Sequence, residues 1–158
     1  MTDPYRDNTN NTDGTAGVTL RFREGSAARV RLLDRFRFDA ERVEYAVELR
    51  APGMSARVDG VVAWTLEAGL PGFLEELAAG YRGWEGERRW ETEDRDLVVS
   101  AVFRSRGRIG LTWTLRPWRE ADGGWSASVT TWLEAGEQMA ALAADVRHFL
   151  TGEPEQEN

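Results

Sequence analysis

Between Glu85 and Asp96 the chain sets Glu85, Glu87, Glu91, Glu93, Asp94 and Asp96 among Arg88, Arg89 and Arg95. Carboxylates at this density can hold Mg²⁺ or Ca²⁺, or act as an acid–base pair. The spacing argues against both. Glu93-Asp94-Arg95-Asp96 lacks the glycine and ligand spacing of a calcium loop, and the interleaved guanidiniums compete for the same oxygens. The expectation is a solvated, ion-paired connection, with a metal-assisted hydrolase on Glu91, Glu93, Asp94 and Asp96 as the weakest alternative. There is one histidine, His148, and no cysteine, so thiolate chemistry is unavailable. Ser100, Ser105, Ser126 and Ser128 stand outside any nucleophile-elbow motif. Gly69, Gly72, Gly80, Gly83 and Gly86 do not have the spacing of a phosphate-binding loop, and the chain has no lysine to complete one. This residue set predicts a protein that is not an enzyme and carries no cofactor and no metal.

What the chain does concentrate is tryptophan: seven, all between Trp64 and Trp132. Indole is a large apolar body with an N–H that needs a partner, so such a cluster marks a dense core or a binding surface. Trp64, Trp113 and Trp125 fall in phase with the apolar residues of their strands and are expected in the core. Trp118 and Trp132 are out of phase, on the face shared with Thr112, Thr114 and Thr130, while Trp84 and Trp90 flank the acidic connection. Trp84, Trp90, Trp118 and Trp132, with Glu91, Glu93 and Asp94, form a candidate protein-binding set, because aromatic residues beside a polar rim are what interface hot spots use.

The elements that must position these residues follow from periodicity. Val18, Leu20 and Phe22 alternate with polar neighbours, as do Val30, Leu32, Phe36 and Phe38, then Val43, Tyr45, Val47 and Leu49. Alternation of this kind predicts half-buried strands. A hairpin turning at Asp39–Ala40 sets Arg31 across from Glu48 and Arg35 across from Glu44, an ordinary structural use of an arginine stripe. A fourth strand runs near Arg57–Leu66, with Val58, Val62 and Trp64 in phase. The period then changes to helical across Leu70, Phe73, Leu74, Leu77 and Tyr81, with Pro71 in the first turn and Gly80 and Gly83 as stops. Four more strands are expected at Arg88–Glu93, Asp96–Arg104, Arg108–Trp118 and Trp125–Leu133. A closing helix over Gly136–Leu150 stacks Met139, Leu142, Ala143, Val146, Phe149 and Leu150 in one stripe and turns His148 away from it. The fold class is therefore α+β: an antiparallel sheet of about eight strands, in β4-α-β4-α order, with two helices packed on one side. Leu66-Glu67-Ala68-Gly69 recurs as Leu133-Glu134-Ala135-Gly136 at the two strand-to-helix junctions. Duplication and chance both account for that recurrence.

One domain, residues 18–150, is expected between a polar disordered tail at 1–17 and an acidic disordered tail at 151–158. The net charge is −7, and much of the excess lies in the tails, at Asp3, Asp7 and Asp13 and at Glu153, Glu155 and Glu157. An acidic chain without clustered cations is not expected to bind nucleic acid. No apolar run approaches the ~20 residues of a membrane span, and the N-terminus lacks a signal-peptide pattern. The expected setting is cytoplasmic, with no membrane partner; oligomeric state is left open.

The stretch Tyr81-Arg-Gly-Trp84-Glu-Gly86-Glu-Arg88-Arg89-Trp90-Glu, then Leu97, then Gly136-Glu137-Gln138 leading to Leu142-Ala143-Ala-Asp145-Val146, resembles a family of high-GC bacteria known as domain of unknown function six-two-two-eight. The resemblance covers about residues 58–150 and implies a fold, with no site attached. More distantly the chain resembles the WapI-type immunity proteins of contact-dependent toxin systems, small cytosolic chains with a strand-rich body and a closing amphipathic helix. The Gly-His pair that often precedes a strand in these families is here Gly107-Arg108. This second likeness implies a toxin-like protein as partner. Two functions are thus in view: a non-enzymatic protein-binding module of immunity type, and a small-molecule binder with a pocket between the sheet and the helix at Leu70–Tyr81.

Overall fold

A computed structural model describes residues 17–20, 27–118 and 123–152. Of the tails expected at 1–17 and 151–158, residues 1–16 and 153–158 lie outside the described residues, as does Phe22 of the first strand, while Thr151 belongs to the last helix. Eight strands and two helices follow in the expected order: β1 (Val18–Leu20), β2 (Arg29–Arg37), β3 (Arg42–Ala51), β4 (Met54–Trp64), α1 (Gly69–Ala79), β5 (Glu87–Glu91), β6 (Leu97–Arg104), β7 (Arg108–Leu115), β8 (Ala127–Glu134) and α2 (Glu137–Thr151). The strands divide into two four-stranded antiparallel meanders, β1-β2-β3-β4 and β5-β6-β7-β8, instead of joining in one sheet. Each meander leads into one helix, so the architecture itself repeats. In the first meander β3 and β4 meet β7 of the second, and β3 also meets β8. The helix α2 packs on β1, β2 and β8, and α1 packs on α2.

One continuous core joins all these layers. The face of α1 carrying Leu70, Phe73, Leu74 and Leu77 is buried, as is the whole predicted stripe of α2. Each fully buried leucine of this kind contributes roughly 1.5–3 kcal/mol relative to an exposed one. Gly80 ends α1 with its N–H on Glu76 O at 3.0 Å, so Tyr81 lies beyond the helix and is exposed rather than in its apolar stripe. α2 runs one residue further than expected, into Thr151, and closes on Gly152 in the left-handed conformation at φ 58°. Trp113 is fully buried as expected, its indole N–H donating to Thr131 Oγ1 at 3.3 Å.

Two irregularities change the first sheet. Strands β2 and β3 keep the predicted register from Arg29 to Leu33, which sets Arg31 opposite Glu48 with an ion pair at 3.7 Å. At Asp34, which takes φ 55°, the register slips and Phe36 lies opposite Glu44. The expected Arg35–Glu44 pair is therefore absent. A second slip falls between Val58 and Val61, where Gly60 takes φ 70°. Arg57 links the two places, its guanidinium on Asp34 at 2.6 Å and on Asp59 at 2.9 Å. A one-residue slip sends every later side chain to the opposite face. Phe36 and Phe38, expected inside, are thus 59% and 55% exposed, Val61 is buried in place of Val62, and Trp64 ends up 36% exposed. Trp125, also expected in the core, is 41% exposed just ahead of β8.

Candidate functional site

The four out-of-phase tryptophans do not meet. Trp132 lies on the outer face of the second sheet, over the bare backbone of Gly110, with the Arg108 guanidinium 4.8 Å from its ring centre. Trp84 packs edge-on against Phe103 at 5.2 Å and under Arg88 at 4.5 Å, while its buried indole nitrogen has no hydrogen-bond partner among the described residues. Trp118 is exposed beyond the end of β7. Trp90 points inward, in register with Val99 and Trp113.

Trp90 brings part of the acidic connection to a different place. A cavity of about 270 Å³ opens between the inner face of the first sheet, the start of α1, the end of α2 and the segment that follows β5. It occupies the region between sheet and first helix where the sequence set a small-molecule pocket. Trp64 and Trp90 stand in its wall with Leu70 and Pro71 of α1 and Leu150 of α2. Glu91 and Glu93, both in the candidate set, line it as well, whereas Asp94 is exposed and not part of it. Glu93 accepts the Trp64 indole N–H at 3.1 Å, and Glu91 pairs with Arg89 and Arg95 at 3.3 and 3.6 Å.

The slip at Asp34 leaves this space open. Register places Arg37, Val43 and Ala63 in one row across β2, β3 and β4, on the cavity side. Unbroken alternation would have turned Phe36 and Phe38 inward instead. Among the described residues Arg37 has no ion-pair partner. Tyr45, the one residue with a polar tip in the buried stripe of β3, is 2% exposed and lines the cavity. Its ring meets Phe149 edge-on at 6.1 Å, and its hydroxyl has no hydrogen-bond partner among the described residues. Burial first, and the charge of Asp96 second, push the Tyr45 phenol upward, so it stays a protonated donor.

Beneath this wall the connection is ordered rather than merely solvated. Thr92 is buried, donates its hydroxyl to Asp96 Oδ1 at 2.5 Å and accepts the Leu97 N–H at 3.2 Å. Burial raises the Asp96 carboxyl above the usual range, against the hydrogen bonds that favour its charge. The start of α1 is uncapped: Ala68 supplies no side-chain acceptor, and the first turn carries no acidic residue. Pro71 has no N–H to satisfy, so the free donors of that turn are Gly69 and Leu70, both on the cavity wall.

Sequence reasoning missed Tyr45, Arg37 and Trp64 as site residues. A phenol in an otherwise aliphatic stripe was the one signal available for Tyr45. No group of three or more His, Asp or Glu side chains among the described residues is arranged to hold a metal ion, and no described helix is long and apolar enough to cross a membrane. His148 is exposed on the last turn of α2.

A family of unknown function, DUF6228, matches residues 21–153, and the chain belongs to it. No curated protein matches the chain, and no solved structure does.

Proposed function

For this member of the DUF6228 family we propose a non-enzymatic binding role in the cytoplasm, with a small organic molecule as the ligand of the cavity beside α1. The observation that carries the reading is Tyr45: a nearly fully buried phenol whose hydroxyl has no partner among the described residues, on the wall of a cavity that Trp64 and Trp90 also line. A ligand acceptor at that wall gives the hydroxyl a hydrogen bond that no described protein group supplies. A concave site with aromatic walls and converging polar groups suits a small organic molecule, and this volume lies just under the ~300–1,000 Å³ of such sites, which suits one or two rings. Saturation-transfer NMR with a set of one- and two-ring organic molecules tests it. Hits are expected with the native chain and lost in Ala63→Phe, which fills the cavity from β4. Hits that persist in a folded Ala63→Phe protein would sink the reading.

A second reading keeps the protein partner and moves its surface. Phe36, Phe38 and Leu66 are exposed near the tip of the β2–β3 hairpin, where Thr65 bonds Ala40 and Glu41, and Arg42 stacks on Phe38 at 3.7 Å. An immunity-type protein would take its toxin-like partner on such a patch. Phe36→Ser with Phe38→Ser is expected to leave the fold intact and abolish partner capture; unchanged capture removes this surface from consideration.

A further inference from the structure

The cavity's unengaged polar groups are mostly of one kind. Glu91 is held by Arg89 and Arg95, and Glu93 by the Trp64 indole. Glu67 and Arg37 are both exposed, so water screens the charge of each. The groups still lacking partners in the wall are donors: the Tyr45 hydroxyl, the Gly69 and Leu70 N–H groups at the positive end of α1, and the Arg37 guanidinium. The start of an eleven-residue helix favours an anion on its own account. Tyr45 is the independent observation: a phenol 2% exposed, on the cavity wall, whose hydroxyl has no acceptor among the described residues.

We infer that the ligand is a small aromatic carboxylate, its ring against Trp64 and Trp90 and its carboxylate taken by Tyr45, the first turn of α1 and Arg37. This rests on the small-molecule reading above and adds the ligand's charge to it. The alternative charge, a cation over the indoles, meets Arg37 and the positive helix end and has only carboxylates that are already paired or exposed.

Phenylacetate, phenylacetamide and phenethylamine share one ring and differ in the head group, so titrating each against tryptophan fluorescence isolates the charge. Phenylacetate is expected to bind about tenfold more tightly than the amide, as charge-assisted hydrogen bonds require, and phenethylamine more weakly than either. Arg37→Gln is expected to erase most of the acid's advantage while leaving the amide's affinity unchanged. Tyr45→Phe, which keeps the ring and its packing, is expected to weaken acid and amide alike. Equal binding of acid and amide, or tighter binding of the amine, overturns the inference and leaves the cavity reading standing. Binding of none of the three by the folded native chain overturns both.

Discussion

Tyr45 and Asp96 are the two residues whose environments contradict their chemistry most. Both carry an ionisable group in the interior, and the Asp96 charge raises the cost of charging Tyr45. The Asp96 carboxyl, pushed up by burial, has a folded-state pKa above its unfolded one. Its ionisation therefore opposes folding. That penalty is absent below the ordinary carboxylate range, near pH ~4, and grows as pH rises through the folded-state value. Asp96→Asn keeps an acceptor for the Thr92 hydroxyl and removes the charge. Its urea midpoint is expected to exceed that of the native chain at pH 7 and to converge with it below pH ~4. A lower midpoint at pH 7 would show that the hydrogen bonds to the carboxylate outweigh its desolvation. Alternation alone placed Tyr45 inside, but not its want of a partner, because hydrogen bonding depends on which groups other strands bring near.

At the scale of elements, periodicity was a good guide wherever it stayed unbroken. All six apolar positions assigned to α2 are buried, and the second meander keeps one register from Glu87 to Glu134. The first sheet departs at the two slips, one at Asp34, a charged non-glycine residue in the inward phase of Val30 and Leu32. Arg57 contributes opposite charge to both Asp34 and Asp59, a link of long sequence separation on one side and of two residues on the other. Gly60 lies in the left-handed region with open space around an added methyl, so Gly60→Ala meets backbone strain alone. It is expected to cost about 1–2 kcal/mol in urea unfolding. Gly124→Ala, also in open space but without a positive φ, is expected to change little. Equal stability of the two variants would mean that β4 does not need its left-handed residue.

Across the whole molecule, two meanders and their helices share one core, and among the described residues one ion pair ties the helices together. Arg147 grips Glu75 with two hydrogen bonds, one from Nε to Oε2 at 2.6 Å. That contact holds the Glu75 carboxyl below its usual range. Its contribution is present above the unfolded pKa and is lost as pH falls through the folded one. Both side chains are 46% exposed, so solvent screens the pair and roughly 0.2–1 kcal/mol is the expected size. Glu75→Gln should lower stability by that amount at pH 7 and by progressively less as pH falls below the ordinary carboxylate range, as read from thermal unfolding. A loss that persists in acid would assign the effect to packing instead.

The order of elements, the α+β class, the buried stripes of both helices and the Arg31–Glu48 pair were determined by the sequence itself. Each rests on local periodicity or on neighbours across one short hairpin. The division into two sheets, the outward turn of Phe36 and Phe38, the separation of the four tryptophans and the cavity beside α1 were decided only by tertiary structure. These depend on where register slips and on which distant strands then come together. One extra residue in a ladder reverses a whole face, and the only mark the first slip leaves in the alternation is Asp34 itself.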